Sequence, residues 1–174
     1  MNIKRKIITL VIILVCFLLE CTLFAKLSFA LIKPNLLIIV TSSFGFMRGK
    51  KSGMFVGFVC GLLTDLFWGD ILGFYMLIYT LIGYVNGFFR RLFYDDDIKL
   101  PIGLIAASEL VYGLVTYFCL HLLQGEFDFL GYLSGIIMPE LVYTILVTLL
   151  LYQIILQINK KLEAEEQRSA SKFV

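Results

Sequence analysis

Residues 53–91 read GMFVGFVCGLLTDLFWGDILGFYMLIYTLIGYVNGFFRR. Two apolar runs flank Trp68-Gly69-Asp70, and small residues recur along both at one interval. Gly53, Gly57 and Gly61 lead by steps of four to Asp65, and after the turn come Tyr75, Tyr79, Gly83 and Gly87. A spacing of four puts each series on one face of a helix. Glycine on such a face lets two backbones approach closely, and in lipid that packing replaces the hydrophobic effect as the source of helix association. A hairpin turning at Asp70 predicts four level pairs: Asp65 with Tyr75, Gly61 with Tyr79, Gly57 with Gly83, and Gly53 with Gly87. It also predicts that a Tyr hydroxyl satisfies the Asp65 carboxylate across the interface.

Working outward, the chain as a whole has the same character. Its 174 residues are 60% hydrophobic and 16% charged, with a mean hydropathy of +0.92. A water-soluble domain of this size cannot bury so much apolar surface, so lipid must be its solvent. The expected fold is all-α, a polytopic membrane bundle of six transmembrane helices over residues 1–158 with a polar cytoplasmic tail over 159–174.

Helix 1 is expected over Ile7 to Phe24 as an uncleaved span, because the apolar run reaches Ala25 without a small-x-small cleavage site. Helix 2, Pro34 to Met47, would be about 21 Å long against a hydrocarbon core of about 30 Å. It therefore needs flanking protein, a thinned bilayer, or extra turns from Phe29 to Lys33. Pro34 suits a first helical turn, where its missing N–H is no loss. Helices 3 and 4 are expected over Ser52 to Phe67 and Ile71 to Phe89, and helix 5 over Pro101 to Leu123. Helix 6, Leu130 to Leu156, carries Pro139 near its middle, which predicts a kink. The tail beyond Asn159 is expected to hold one or two helical turns and then disorder.

Charge fixes the expected orientation. Lys and Arg gather at Lys4 to Lys6, at Arg48, Lys50 and Lys51, at Arg90, Arg91 and Lys99, and in the tail. Only Lys26 and Lys33 lie elsewhere. Six spans with both termini in the cytoplasm put all four clusters on one side, as the excess of cytoplasmic Lys and Arg requires.

Four acids lie within apolar runs: Glu20, Asp65, Glu109 and Glu140. Each costs about 2.5–3.5 kcal/mol at mid-membrane on the insertion scale, so each should face the bundle interior or a partner. They are read either as proton, substrate or partner contacts or as hydrogen-bonded locks between helices. The helix-packing or partner-contact candidates are thus Pro34, Asn35, the glycine and tyrosine series, Gly73, Asp65, Glu109 and Glu140. Asp95 to Asp97 read as a solvated loop and a helix cap ahead of Pro101.

Catalytic chemistry is not expected. His121 is the sole histidine, and the four cysteines lie in apolar runs without ligand spacing, so no metal is predicted. Gly49-Lys50-Lys51-Ser52 lacks the distant glycine and preceding strand of a phosphate loop. No nucleophile triad, paired catalytic carboxylates or cofactor motif occurs. No cofactor and no nucleic-acid partner is expected.

In order and spacing, these pieces resemble the rod shape-determining protein MreD family of bacteria. The resemblance rests on the basic N-terminus, Pro34-Asn35-Leu36-Leu37, the basic turn Arg48 to Lys51, and Gly57-x-x-x-Gly61 followed by Asp65. It continues through Gly73-x5-Tyr79-x3-Gly83-Tyr84 to Arg90-Arg91, whereas helices 5 and 6 match only in hydropathy and length. It implies a non-enzymatic multi-pass subunit of the bacterial cell membrane that associates with the bitopic protein MreC. Through that contact it would link MreB filaments to the glycosyltransferase RodA and its penicillin-binding transpeptidase partner. The Arg48–Lys51 and Arg90–Lys99 turns are expected to touch cytoplasmic partners or anionic lipid. The alternative is the substrate-capture subunit of a vitamin-type transporter, with Glu109, Glu140 and Pro139 lining a cavity. Against it, helix 1 lacks the Ala-x-x-x-Ala pattern of that class. A scaffold with unrelated partners is a third reading.

Overall fold

The structure is a computed structural model and describes residues 3–24, 33–69, 71–92, 98–121, 125 and 127–171. The expected outer connection from Lys26, the Asp70 apex and the Asp95 to Asp97 loop lie outside these residues. Six helices make up the described chain, and no strand occurs in it. They are α1 (3–24), α2 (Leu36–Arg48), α3 (Lys50–Trp68), α4 (74–92), α5 (Lys99–His121) and α6 (129–171). Three of them, α3, α5 and α6, are long and apolar enough to cross a membrane.

The bundle is built around α2. From Leu36 to Met47 every residue of this short helix is buried, and it packs against all five others. Protein on all sides is how a helix shorter than the bilayer is accommodated. Its polar run Thr41-Ser42-Ser43 faces the interior, while Leu10, Leu14 and Leu18 of α1 and Leu146 and Leu150 of α6 point outward. Leu150 is 72% exposed. Large apolar side chains facing out around a partly polar centre suit lipid as the solvent.

Helix ends differ from expectation in physically simple ways. Helix α2 starts at Leu36 because the Asn35 side chain accepts from the Ile38 N–H at 3.1 Å as an N-cap, leaving Pro34 just outside. The sixth helix meets Pro139 with a wide π-helical turn, Leu133–Ile137, immediately before it, which accommodates the lost backbone bond. Beyond Asn159 the chain does not unwind after one or two turns: the helix runs on through Ser171. Leu162 is buried there, and Glu163 and Glu166 bind Arg48 at 3.1 and 3.4 Å. Arg5 holds the same extension through Glu166 at 2.8 Å and Asn159 at 3.2 Å. Burial lowers the Arg5 guanidinium pKa, as does neighbouring Arg48, while Glu166 draws it back up.

Candidate functional site

The densest packing lies between α3 and α4, where backbone meets backbone. A Cβ on Gly57 would strike the Tyr79 carbonyl, one on Gly61 would lie 2.6 Å from the Tyr75 carbonyl oxygen, and one on Gly53 would strike that of Gly83. Gly83 faces the Gly53 carbonyl in turn, and Gly87 faces the backbone of Gly49 and Lys50. Each approach is closer than any side chain permits.

The predicted series therefore do meet, but one helical turn out of the expected register. Gly61 lies level with Tyr75 and Met76 rather than Tyr79, Gly57 with Tyr79 rather than Gly83, and Gly53 with Gly83 rather than Gly87. Asp65 explains the shift. Its carboxylate accepts from the backbone N–H of Gly73 at 2.9 Å, Tyr75 at 2.9 Å and Met76 at 3.0 Å. It takes the orphan amides at the start of α4, not a tyrosine hydroxyl, and so pulls that helix up against the end of α3. Gly73 enters the helix at φ +101°, a left-handed conformation suited to glycine. At 4% exposure Asp65 is buried with these bonds, its side-chain oxygens meeting the amides of a helix N-terminus.

Polar bridges then tie this hairpin to the rest. The Tyr79 hydroxyl donates to Asn35 Oδ1 at 2.9 Å, and the Asn35 N–H donates to Thr144 Oγ1 at 3.0 Å, joining α4, α2 and α6. Lower down, Asn86 Nδ2 donates to Ser108 Oγ at 2.8 Å and to the Ile82 carbonyl at 2.9 Å, linking α4 to α5. Gly45 of α2 completes the seam: a Cβ there would lie 2.9 Å from the Gly83 carbonyl oxygen.

Thr144, Asn86, Ser108 and Gly45 were not singled out from sequence. A lone Asn or Ser in an apolar helix gives no periodic signal, although an intramembrane Asn was itself a usable clue.

Glu109 and Glu140 lie on α5 and α6, outside the hairpin's own two helices. Glu109 is buried, with Oε2 lacking a hydrogen-bond partner among the described residues. Tyr112, one turn from Glu109, packs edge-on to Tyr79 at 5.5 Å and lies 6.1 Å from Tyr75. At the opposite end from the basic turns, Lys33 pairs with buried Glu20 at 3.4 Å and lies 3.7 Å over the Trp68 ring.

The basic turns come together as one surface. Arg48, Lys50, Lys51, Arg90 and Arg91 line a single open cleft, and the Arg90 side chain crosses Gly49, itself at φ +89°. Taken whole, Asp65 and Tyr79 have the geometry of helix locks, each bonded to a group outside its own helical turn.

Neither a curated protein nor a solved structure matches the chain. The family model described as rod shape-determining protein MreD matches residues 2–162. That span takes in the glycine seam, Asp65, the basic turns and all but the end of α6, and so the chain belongs to the MreD family.

Proposed function

We propose that this protein is a six-span, non-enzymatic membrane subunit of the cell-elongation machinery, with both termini in the cytoplasm. It binds an MreC-type bitopic protein and through it couples MreB filaments to RodA and the elongation transpeptidase. Family membership supplies the coarser statement, a role in rod shape determination in the bacterial membrane.

The observation that carries the finer reading is the segregation of charge. Lys6, Arg48, Lys51 and Arg90, from separate parts of the sequence, surround one cleft. The tail is held at the same end through Arg5 and Glu166, whereas Lys33 lies at the other end with Trp68. Such one-sided clustering supports a cytoplasmic basic face. The rigid seam supports a role exerted through contacts, since a bundle with fixed helix positions presents fixed surfaces to partners. No observation favours the transporter reading once the family is known.

The test is recovery of partners. The tagged protein, expressed at native level and purified in mild detergent, should bring down MreC with RodA or the transpeptidase, identified by mass spectrometry. Recovery of an ATPase pair with its membrane coupling protein, and no elongation protein, would overturn the proposal.

A further inference from the structure

At the basic end, the start of α3 and the end of α4 enclose an open cleft of about 770 Å³. Arg48, Lys50, Lys51, Arg90 and Arg91 line it. A second cleft of about 450 Å³ shares Arg48, Lys51 and Arg90 and adds Lys6. Among the described residues, Arg48 alone of these six cations has a carboxylate within ion-pair distance. Like charges held this close repel one another, and an anion between them would relieve the repulsion.

What lies beside the cleft identifies the source of the anion. The Lys50 ammonium sits 3.5 Å over the Phe88 ring and 5.6 Å from that of Tyr84. Phe88 and Tyr84 lie one turn apart on α4 and are both exposed. On α3, Met54 and Phe58 follow Lys50 at steps of four and are exposed too. The cations therefore stand at the head of an apolar, outward-facing seam that runs down the hairpin. A soluble anion needs only the charges; a lipid uses both charges and seam. The two adjoining lobes, with three cations common to both, suit two phosphates better than one.

We propose that this cleft binds the headgroup of an anionic phospholipid carrying two phosphates, its acyl chains lying along Phe88, Tyr84, Met54 and Phe58. This assignment does not depend on the elongation-complex reading.

The purified full-length chain in detergent would be titrated with diphosphatidylglycerol, phosphatidylglycerol and phosphatidylcholine, and binding read by native mass spectrometry. Affinity should fall in that order. Combined Lys51→Gln, Arg90→Gln and Arg91→Gln should weaken diphosphatidylglycerol binding by roughly 100-fold, and Lys51→Gln alone by roughly fivefold. All three side chains are exposed, and circular dichroism with Trp68 emission would verify the fold. Lys160→Gln with Lys161→Gln, a pair outside the cleft, should change affinity by less than about threefold. Phe88→Ser should weaken the lipid but not inorganic diphosphate.

Equal affinity for phosphatidylcholine, or undiminished lipid binding by the triple variant, would overturn the proposal. So would inorganic diphosphate that displaces the lipid at equal concentration, which would make the cleft a soluble-anion site. If the triple variant kept its lipid and lost a co-purifying protein, the cleft would belong to that protein.

Discussion

Helix α4 has two long neighbours and meets them in opposite ways. Against α3 it packs backbone to backbone along Gly53, Gly57, Gly61 and Gly83. Against α5 it touches little, leaving a groove of about 320 Å³ between Leu81 and Val85 on one side and Ala107 and Val111 on the other. Asn86 and Ser108 hold that groove together at its base. In water the groove would collapse, because burying its walls would be favourable. In lipid an apolar groove costs little, since lipid tails fill it as well as side chains do, and association must come from close packing or polar bonds. The seam uses the first device and the groove the second. The contrast predicts that small changes in the seam are destructive and larger ones in the groove are tolerated.

The largest effect is expected from Gly53→Leu or Gly57→Leu. No rotamer rescues either, because the added Cβ already meets backbone atoms of α4 rather than a side chain that can move. The helices must separate, costing about 3 kcal/mol or more. Mixed-micelle unfolding followed by emission of Trp68, the single tryptophan, should show a markedly earlier transition. Cells carrying the variant as sole copy should lose rod shape. A transition within experimental error of the parent would mean that the seam is not close-packed.

Next comes Asp65→Ala. Three amides of α4 lose their acceptor together, and hydrogen bonds to a charged group contribute about 1.5–3 kcal/mol each but not additively, so a loss of about 3 kcal/mol is expected. Asp65→Asn keeps one acceptor oxygen and should cost about half as much. Equal losses for the two would assign the effect to charge rather than to amide satisfaction. In cells, Asp65→Ala should give an intermediate phenotype between the parent and Gly57→Leu.

Asp65 also shows where the sequence was legible and where it was not. The four-residue spacing made the two faces and the hairpin readable, and the Lys and Arg clusters made the basic end readable. The register was not, because a carboxylate can be satisfied by a hydroxyl or by backbone amides, and residue types alone do not distinguish the two. The amides lie closer to the turn than the hydroxyl would, and this moves every later pair by one turn. Helix α2 posed a different difficulty. Its run is apolar on all sides apart from Thr41-Ser42-Ser43, so hydropathy identifies a span without showing that five neighbours surround it or that Gly45 meets Gly83. The tail helix was missed because its stability lies in Arg5 and Arg48, far away in sequence.

At the base of the groove, Asn86→Ala should cost about 1 kcal/mol, the net worth of a typical hydrogen bond in water and within the range of interhelical ones in membranes. Ser108→Ala alone should cost less, since Asn86 keeps the Ile82 carbonyl. The double variant should resemble Asn86→Ala if the pair acts as one bond.

The sharpest form of the comparison replaces glycine by alanine, the smallest possible change, at one position on each side of α4. In the seam, Gly57→Ala still introduces the atom that strikes the Tyr79 carbonyl, and the transition should come visibly earlier. On α5, a Cβ at Gly103 meets nothing within 4 Å. That residue is exposed in a helix interior, where glycine is less favourable than alanine by about 1 kcal/mol. Gly103→Ala should therefore leave stability unchanged or raise it slightly, by up to about 1 kcal/mol, and should preserve rod shape. Opposite signs for one chemical change would attribute glycine's role in the seam to backbone approach. A loss at Gly103 like that at Gly57 would instead show that the exposed face of α5 is packed against another helix in the membrane.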